Sequence, residues 1–389
     1  MNLKKRLYPV FFLIALFIIT NVASGVKEIN PVPLLTIEGL GNGYSTPAVT
    51  SDRIVVTGER EGKGYLFSYD FNGTLLWKTE YGNEWSANYP GSRASPTIID
   101  SMIYTCSGMG DIACFNSKTG QKQWAVNMIR DLHGVNAVFG YSTPVVVERD
   151  RIYCLPGGQD TNIACLNRFT GKIIWKSAGD GETPGYTAPL FIRHHERNLL
   201  VAFSELAMIG LDAGTGELLW TYDLSIKGDA PCNSPFYSEG FLYMVAGGGN
   251  GAAKFELSQD GTQIKKTWSN LEFNTYFGGF VMIDNFLYGS SKSKPLWMSV
   301  DALTGKNVDS LLFKTGSIVQ AGEGLVIYSQ TGGVGLVRIN QGKMILDRSF
   351  KISRGTKEHF SHPLLAGGRL YIRHGDALLV YDYQQLAKL

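Results

Sequence analysis

A chain of 389 residues could hold two or three ordinary domains. Its formal net charge of +2 gives it no general pull on nucleic acid or anionic lipid, and no basic run is interleaved with aromatics. The 46 Gly, 19 Tyr and 20 Phe suit many turns between packed sheets, and no segment patterns as a long helix or coiled coil.

Residues 1–25 read as a secretory signal. Lys4, Lys5 and Arg6 precede the apolar run Val10 to Ile19, and the small residues Ala23, Ser24 and Gly25 follow. This order predicts export to the periplasm or medium, with cleavage near Ser24 or Gly25. The apolar run is short for a membrane span, so no transmembrane segment is expected in the mature protein. Without those three cations the mature chain carries about −1. No cysteine precedes Cys106, so no lipid-anchoring cysteine is expected.

Residues 26–389 repeat one unit eight times, at a period of roughly 45 residues. Its first marker is a Pro that opens a β-run: Pro47, Pro96, Pro144, Pro189, Pro235 and Pro363. The copies near Phe280 and Ile318 lack it. A second β-run follows, as in Ile103-Tyr104 or Leu370-Tyr371. Then comes a third run ending in Asp/Asn-x-x-Thr-Gly, and a Trp four residues after the Gly. The clearest turns use Gly73, Gly120, Gly171 and Gly216, paired with Trp77, Trp124, Trp175 and Trp220. Gly305 keeps the turn and loses the Trp. The Asp/Asn accepts backbone hydrogen bonds, the Gly supplies a positive φ, and the Trp is expected to pack between units.

Four short strands per unit and eight units predict an all-β, eight-bladed propeller of four-stranded antiparallel blades. The eighth unit stops at its third strand, Ala377 to Asp382. Leu34 to Ile37 precedes the first unit and is expected to supply the missing outer strand. That would close the ring and remove exposed sheet edges.

The five cysteines include no C-x-x-C or metal-ligand spacing. Cross-strand disulfides are open to Cys106 with Cys114 and to Cys154 with Cys165, while Cys232 is expected nearest to solvent. His194-His195 reads as a solvated turn. Nucleotide-binding loops, nucleophile elbows and zinc-helix motifs are missing.

In a propeller, the loops leading into the innermost strands and the loops between second and third strands meet at one mouth of the central channel. The lead-in loops bring Trp85, Asn88, Tyr89, Arg93, Tyr141, Tyr186, Asn233, Tyr276, His359 and His362 to that mouth. The other loops bring Gln159, Asp160, Lys292 and His374. An aromatic, amide-rich set with few acids suits stacking on sugar rings or gripping a peptide. Such residues are also ordinary occupants of wet loops. The grouping of His359, His362 and His374 is the sharpest oddity; a metal site would need convergent nitrogens, and none is predicted.

The Asp/Asn-x-x-Thr-Gly-x-x-x-Trp unit resembles the repeat of the pyrroloquinoline-quinone (PQQ)-like propellers, the quinoprotein alcohol dehydrogenase-like superfamily. Segments such as Pro90 to Pro96, Tyr141 to Gly158 and His362 to Tyr371 resemble a secreted bacterial branch similar to polyvinyl-alcohol-dehydrogenase-like proteins. More distantly, the chain is similar to the lipoprotein propellers of outer-membrane assembly. The resemblance implies eight blades. For its catalytic members it implies PQQ with Ca²⁺, an adjacent-cysteine disulfide and a catalytic Asp. This chain has no adjacent Cys pair, so no cofactor is predicted from its own residues. The expected function is a binding or assembly scaffold for a protein or glycan partner. The alternatives are a quinone-dependent dehydrogenase, and a hydrolase or lyase using Arg93, Tyr186 and His362.

Overall fold

The structure is a computed structural model that describes residues 25–224, 231–291 and 294–389. Eight sheets form the blades, seven of them around four antiparallel strands consecutive in the chain. The second blade is typical: Thr97–Ile99 is innermost, followed by Met102–Cys106, Asp111–Asn116 and the outer Lys122–Asn127. Buried apolar side chains fall into eight clusters, one at each junction between neighbouring blades. The core is therefore a ring of inter-blade seams, as expected where each unit cannot bury its faces alone.

The eighth blade is completed from the other end of the chain. Leu35–Ile37 pairs antiparallel with the last strand, Leu35 opposite Val380 and Ile37 opposite Leu378. Sequence reasoning did not anticipate a second tie. Lys27–Glu28 adds a parallel fifth strand to the edge of the seventh blade, and Ile29 enters the seam between blades seven and eight. Asp382 caps a terminal helix, Tyr383–Lys388, whose Leu386 is buried in the same seam.

The turn chemistry follows the repeat. Asn116 Oδ1 accepts from the backbone N–H groups of Lys118 and Thr119 at 3.0 and 3.1 Å, and Gly120 takes φ +71°. A bulge then shifts the outer strand by one residue and sets Trp124 directly opposite Cys114. Ser68, Cys165 and Gly210 face Trp77, Trp175 and Trp220 in the same way.

Each of these rings, Trp220 excepted, reaches the next blade. A Cβ built on Gly120, Gly171 or Gly216 would stand 2.6–2.7 Å from the ring of Trp77, Trp124 or Trp175. The indole N–H then donates to the carbonyl three residues before that glycine: Trp77 to Ser117, Trp124 to Arg168, Trp175 to Ala213. Trp268, which the repeat spacing missed, does the same over Gly305 and donates to Ala302 at 3.1 Å.

The junction between blades four and five breaks the pattern. Trp220 lies over Gly210 of its own blade, and its buried Nε1 has no partner. His194 takes over the task. Its Nε2 donates to the Ser258 carbonyl, three residues before Gly261, at 2.8 Å, and its Nδ1 accepts from Tyr237 at 2.9 Å. The expectation of a solvated turn fails for His194, which is 2 % exposed; His195 alone is exposed there.

Cys106, Cys114, Cys154 and Cys165 are free thiols. Cys106 stands opposite Ile112 and Cys154 opposite Ala164. Neither expected disulfide pair shares a ladder rung, and burial pushes the Cys106 and Cys154 thiols up.

Candidate functional site

The lead-in loops converge at one mouth of the channel, where hydrogen bonds tie neighbours together. Thr46 N donates to Ser95 Oγ at 2.9 Å, and Thr46 Oγ1 to the His362 carbonyl at 3.2 Å. Ser234 Oγ donates to the Ala188 carbonyl. Loops from distant parts of the sequence thus share one frame.

A row of aromatic rings crosses this mouth. Tyr186, Phe139, Tyr89, Phe360, Phe277 and Tyr276 follow one another with centroid separations of 5.9, 6.4, 5.7, 5.1 and 5.5 Å. Tyr44 joins at Phe360, 5.6 Å away. The rings meet tilted or edge to face, the arrangement their quadrupoles favour. Beside the row, Tyr89, Val135, Val138 and Phe139 are exposed, Val138 to 71 %. Trp85 lies against Gly140 at the base of the same loop.

Several residues expected at the mouth have structural bonds there. Arg93 donates to the carbonyls of Asn88, Tyr89 and Gly91 and so shapes its own loop; burial lowers its pKa. Trp85 Nε1 donates to Asn88 Oδ1 at 3.3 Å. Tyr186 accepts from the Phe139 N–H at 3.1 Å. Tyr141 is buried and donates to the Pro156 carbonyl at 2.6 Å. Buried Asn233 donates to the carbonyls of Val245 and Thr275 and accepts from Gly279 N–H. Gln159 and Asp160 are exposed, with Asp160 3.6 Å from His133. Lys292 lies outside the described residues.

The three histidines do not converge. His359 and His374 stack face to face at 3.7 Å. His374 directs both ring nitrogens at backbone carbonyls, those of Arg354 and Lys357. His359 Nδ1 accepts from Tyr328 at 2.5 Å, and burial, then His374, then Lys351, lowers its pKa to about 4. Burial lowers the pKa of His362, whose ring lies beside Gly279, although the residue as a whole is exposed.

Carboxylates at this face are already engaged. Glu84 is buried, accepts from Tyr81 and from Gly108 N–H, and is pushed up to about 7 by desolvation. Glu358 accepts from Tyr44 at 2.7 Å, Glu205 from Thr183 at 2.5 Å, and Asp180 from Ser204. Among the described residues no three of His, Cys, Asp and Glu form a group that could hold a metal ion.

Phe139, Phe277, Phe360, Val135 and Val138 were not anticipated. The available signal was their place just before the innermost strands.

The family described as outer membrane protein assembly factor BamB matches residues 28–175, 108–234 and 159–387. The overlapping placements reflect the repeat. A quinoprotein ethanol dehydrogenase from Pseudomonas putida is 28 % identical over 171 residues, covering 39 % of this chain and 25 % of its own length. A polyvinylalcohol dehydrogenase from Sphingopyxis sp. is 26 % identical over 166 residues, covering 35 % and 23 %. The chain thus spans about a quarter of the length of these curated relatives. BamB from Moraxella catarrhalis superposes with a TM-score of 0.63 at 17 % identity, covering 90 % of this chain and 97 % of that one. A europium-containing methanol dehydrogenase gives 0.66 at 11 %, covering 91 % and 88 %. At these identities the structural likeness concerns the fold. Repeat, blade count and family match agree, and the chain belongs to the PQQ-like β-propeller family.

Proposed function

We propose that this chain is an exported scaffold that acts by binding, and that its channel mouth holds a protein partner. The observation that carries the reading is the exposed apolar rim of Tyr89, Val135, Val138 and Phe139, backed by the aromatic row. Contiguous apolar surface of this kind on a water-facing loop marks interaction sites, and aromatic residues dominate the centres of such sites. The loops are tied to one another across blades, so little ordering entropy opposes docking. Export rests on the order of Lys4 to Arg6, the apolar run and the small residues after it. No helix among the described residues is long and apolar enough to cross a membrane.

The dehydrogenase reading needs a quinone with Ca²⁺. The residues present at the mouth do not fit that group. Phe360 occupies the middle of the aromatic row, edge to face with its neighbours, and Glu84, Glu205, Glu358 and Asp180 accept from protein donors. Capture from a periplasmic extract tests the scaffold reading. The expected result is a specific protein retained by the wild type and lost from Val138→Glu, at unchanged melting temperature. Equal capture by both would refute it. Addition of PQQ and Ca²⁺ tests the rival: quinone absorbance surviving desalting, with dye reduction by an alcohol, would reverse the order.

A further inference from the structure

We propose that the recess between blades six and seven, at the edge of the mouth, is a subsite for one ring of a neutral saccharide. It goes beyond the protein-docking rim and does not depend on it. The recess holds about 330 Å³ and is lined by Tyr276, Phe277, Ser290, Thr315 and Gln330. That volume sits at the lower end of small-ligand sites, which begin near 300 Å³.

The walls are held open. Phe277 is braced edge to face by Tyr276 on one side and Phe360 on the other. Beneath it, Thr275 Oγ1 donates to the Ser290 carbonyl at 2.5 Å and Ser290 Oγ to the Gly316 carbonyl at 3.2 Å. Gln330 N–H donates to the Thr315 carbonyl at 2.9 Å, and Ile318 N–H to the Gly278 carbonyl at 3.1 Å. The Phe277 ring therefore cannot fold down to fill the space.

The polar groups decide the ligand class. Among the described residues, the Gln330 side-chain amide and the Thr315 hydroxyl have no hydrogen-bond partner, and no charged side chain lines the recess. A charged ligand would bring an unpaired charge into it. A purely apolar ligand would strand the amide and the hydroxyl. A pyranose matches both surfaces: its C–H face stacks on an aromatic ring, and its hydroxyls pair with amide and hydroxyl groups. Phe360, next in the aromatic row, offers a face for a further ring of the same chain.

Isothermal titration of the full-length mature protein with cellotetraose, maltotetraose and chitotetraose tests this, with tri-galacturonate as the anionic comparison. At least one neutral tetrasaccharide is expected to bind saturably at about 1 mM or tighter. Gln330→Ala should weaken it about tenfold and Phe277→Ala should abolish it, while Gln330→Asn, which keeps the amide, falls between wild type and Gln330→Ala. Val138→Glu should leave the affinity unchanged, which separates this site from the docking rim. Melting curves establish that each variant is folded. No saturable binding of any of the three sugars, equal binding by Gln330→Ala and wild type, or equal binding of tri-galacturonate would each overturn the proposal.

Discussion

Two tryptophans in equivalent positions should respond unequally to the same substitution. Trp124 donates its indole N–H to the Arg168 carbonyl of the next blade at 2.9 Å and lies over Gly171. Trp220 is buried over Gly210, and its Nε1 has no partner. Trp124→Phe deletes an inter-blade hydrogen bond, worth about 1 kcal/mol net, and strands a half-buried carbonyl. With the lost ring contact, the cost comes to about 2 kcal/mol. Trp220→Phe also loses ring area, but it removes a buried donor whose desolvation costs about 1–3 kcal/mol. The two effects nearly cancel, leaving a change of less than about 1 kcal/mol. In a domain of this size, about 1 kcal/mol moves the melting temperature by about 2 °C. The expected gap between the variants is therefore about 2–4 °C, with Trp124→Phe lower. Differential scanning calorimetry at one scan rate measures it, since large propellers can unfold irreversibly. Equal losses, or a larger loss for Trp220→Phe, would refute the claim that the N–H to carbonyl contact, and not ring burial alone, fastens the blades.

Gly171→Ala forces a left-handed residue to carry a Cβ and sets it 2.7 Å from the Trp124 ring; it should cost well over about 2 kcal/mol, whereas Gly240→Ala, with φ +85° and open space, should cost only about 1 kcal/mol. His194→Phe strands the Ser258 carbonyl and the Tyr237 hydroxyl in a buried seam and should destabilise by about 2–4 kcal/mol in urea unfolding; a neutral result would mean the histidine does not replace a tryptophan there. Glu84 is raised from 4.5 to about 7 by burial, so the folded state holds its proton more tightly than the unfolded chain. Its contribution to stability is full below about pH 4.5 and falls as pH rises to about 7, by up to about 3 kcal/mol. Glu84→Gln should flatten the stability profile across that window, and an unchanged slope would count against the assignment.

The blade count and the ring closure were legible because they rest on local chemistry. An Asp or Asn, a Thr and a Gly within five residues make a turn wherever they occur, and the pattern recurs. Where a role is set by the neighbouring blade, the sequence is silent. Trp268 escaped notice because its turn glycine, Gly261, stands seven residues ahead rather than four, although the ring still ends up opposite the same third-strand slot, here Lys254. His194 looked like a polar turn residue, and only the failure of Trp220 to cross the seam gives it a structural task. At the mouth, topology pointed to the right loops, but side-chain contacts between loops 12 to 42 residues apart decide which residues stay free. Tyr141 and Asn233 brace those loops. Phe360 and Phe277 were passed over because an apolar residue in a sequence reads as core. Here it is a lining.

Two perturbed groups near the mouth, Arg373 and Tyr44, lie where the ring is closed, and that location governs how they are read. Arg373 is fully buried and donates to Ser45 Oγ at 2.7 Å and to the Thr57 and Gly375 carbonyls. Desolvation lowers its pKa to about 10. Tyr44 donates to Glu358, and Thr46 to the His362 carbonyl. Each of these contacts except that to Gly375 joins blade eight, or the loop leading into it, to blade one. Perturbed groups in a concave site usually nominate catalysis, but ion and hydrogen-bond networks that hold structure perturb them equally. The chain crosses this junction once, from Leu35–Ile37 of blade eight to Ala48–Val49 of blade one. The polar clamp adds a further tie between the same two blades. A catalytic reading would require one of these groups to face the channel with a free donor or acceptor, and Arg373 has committed its guanidinium to protein oxygens on both blades. Among the described residues, the aromatic row and the Gln330 amide and Thr315 hydroxyl of the recess are the mouth groups on which the proposed binding reading rests.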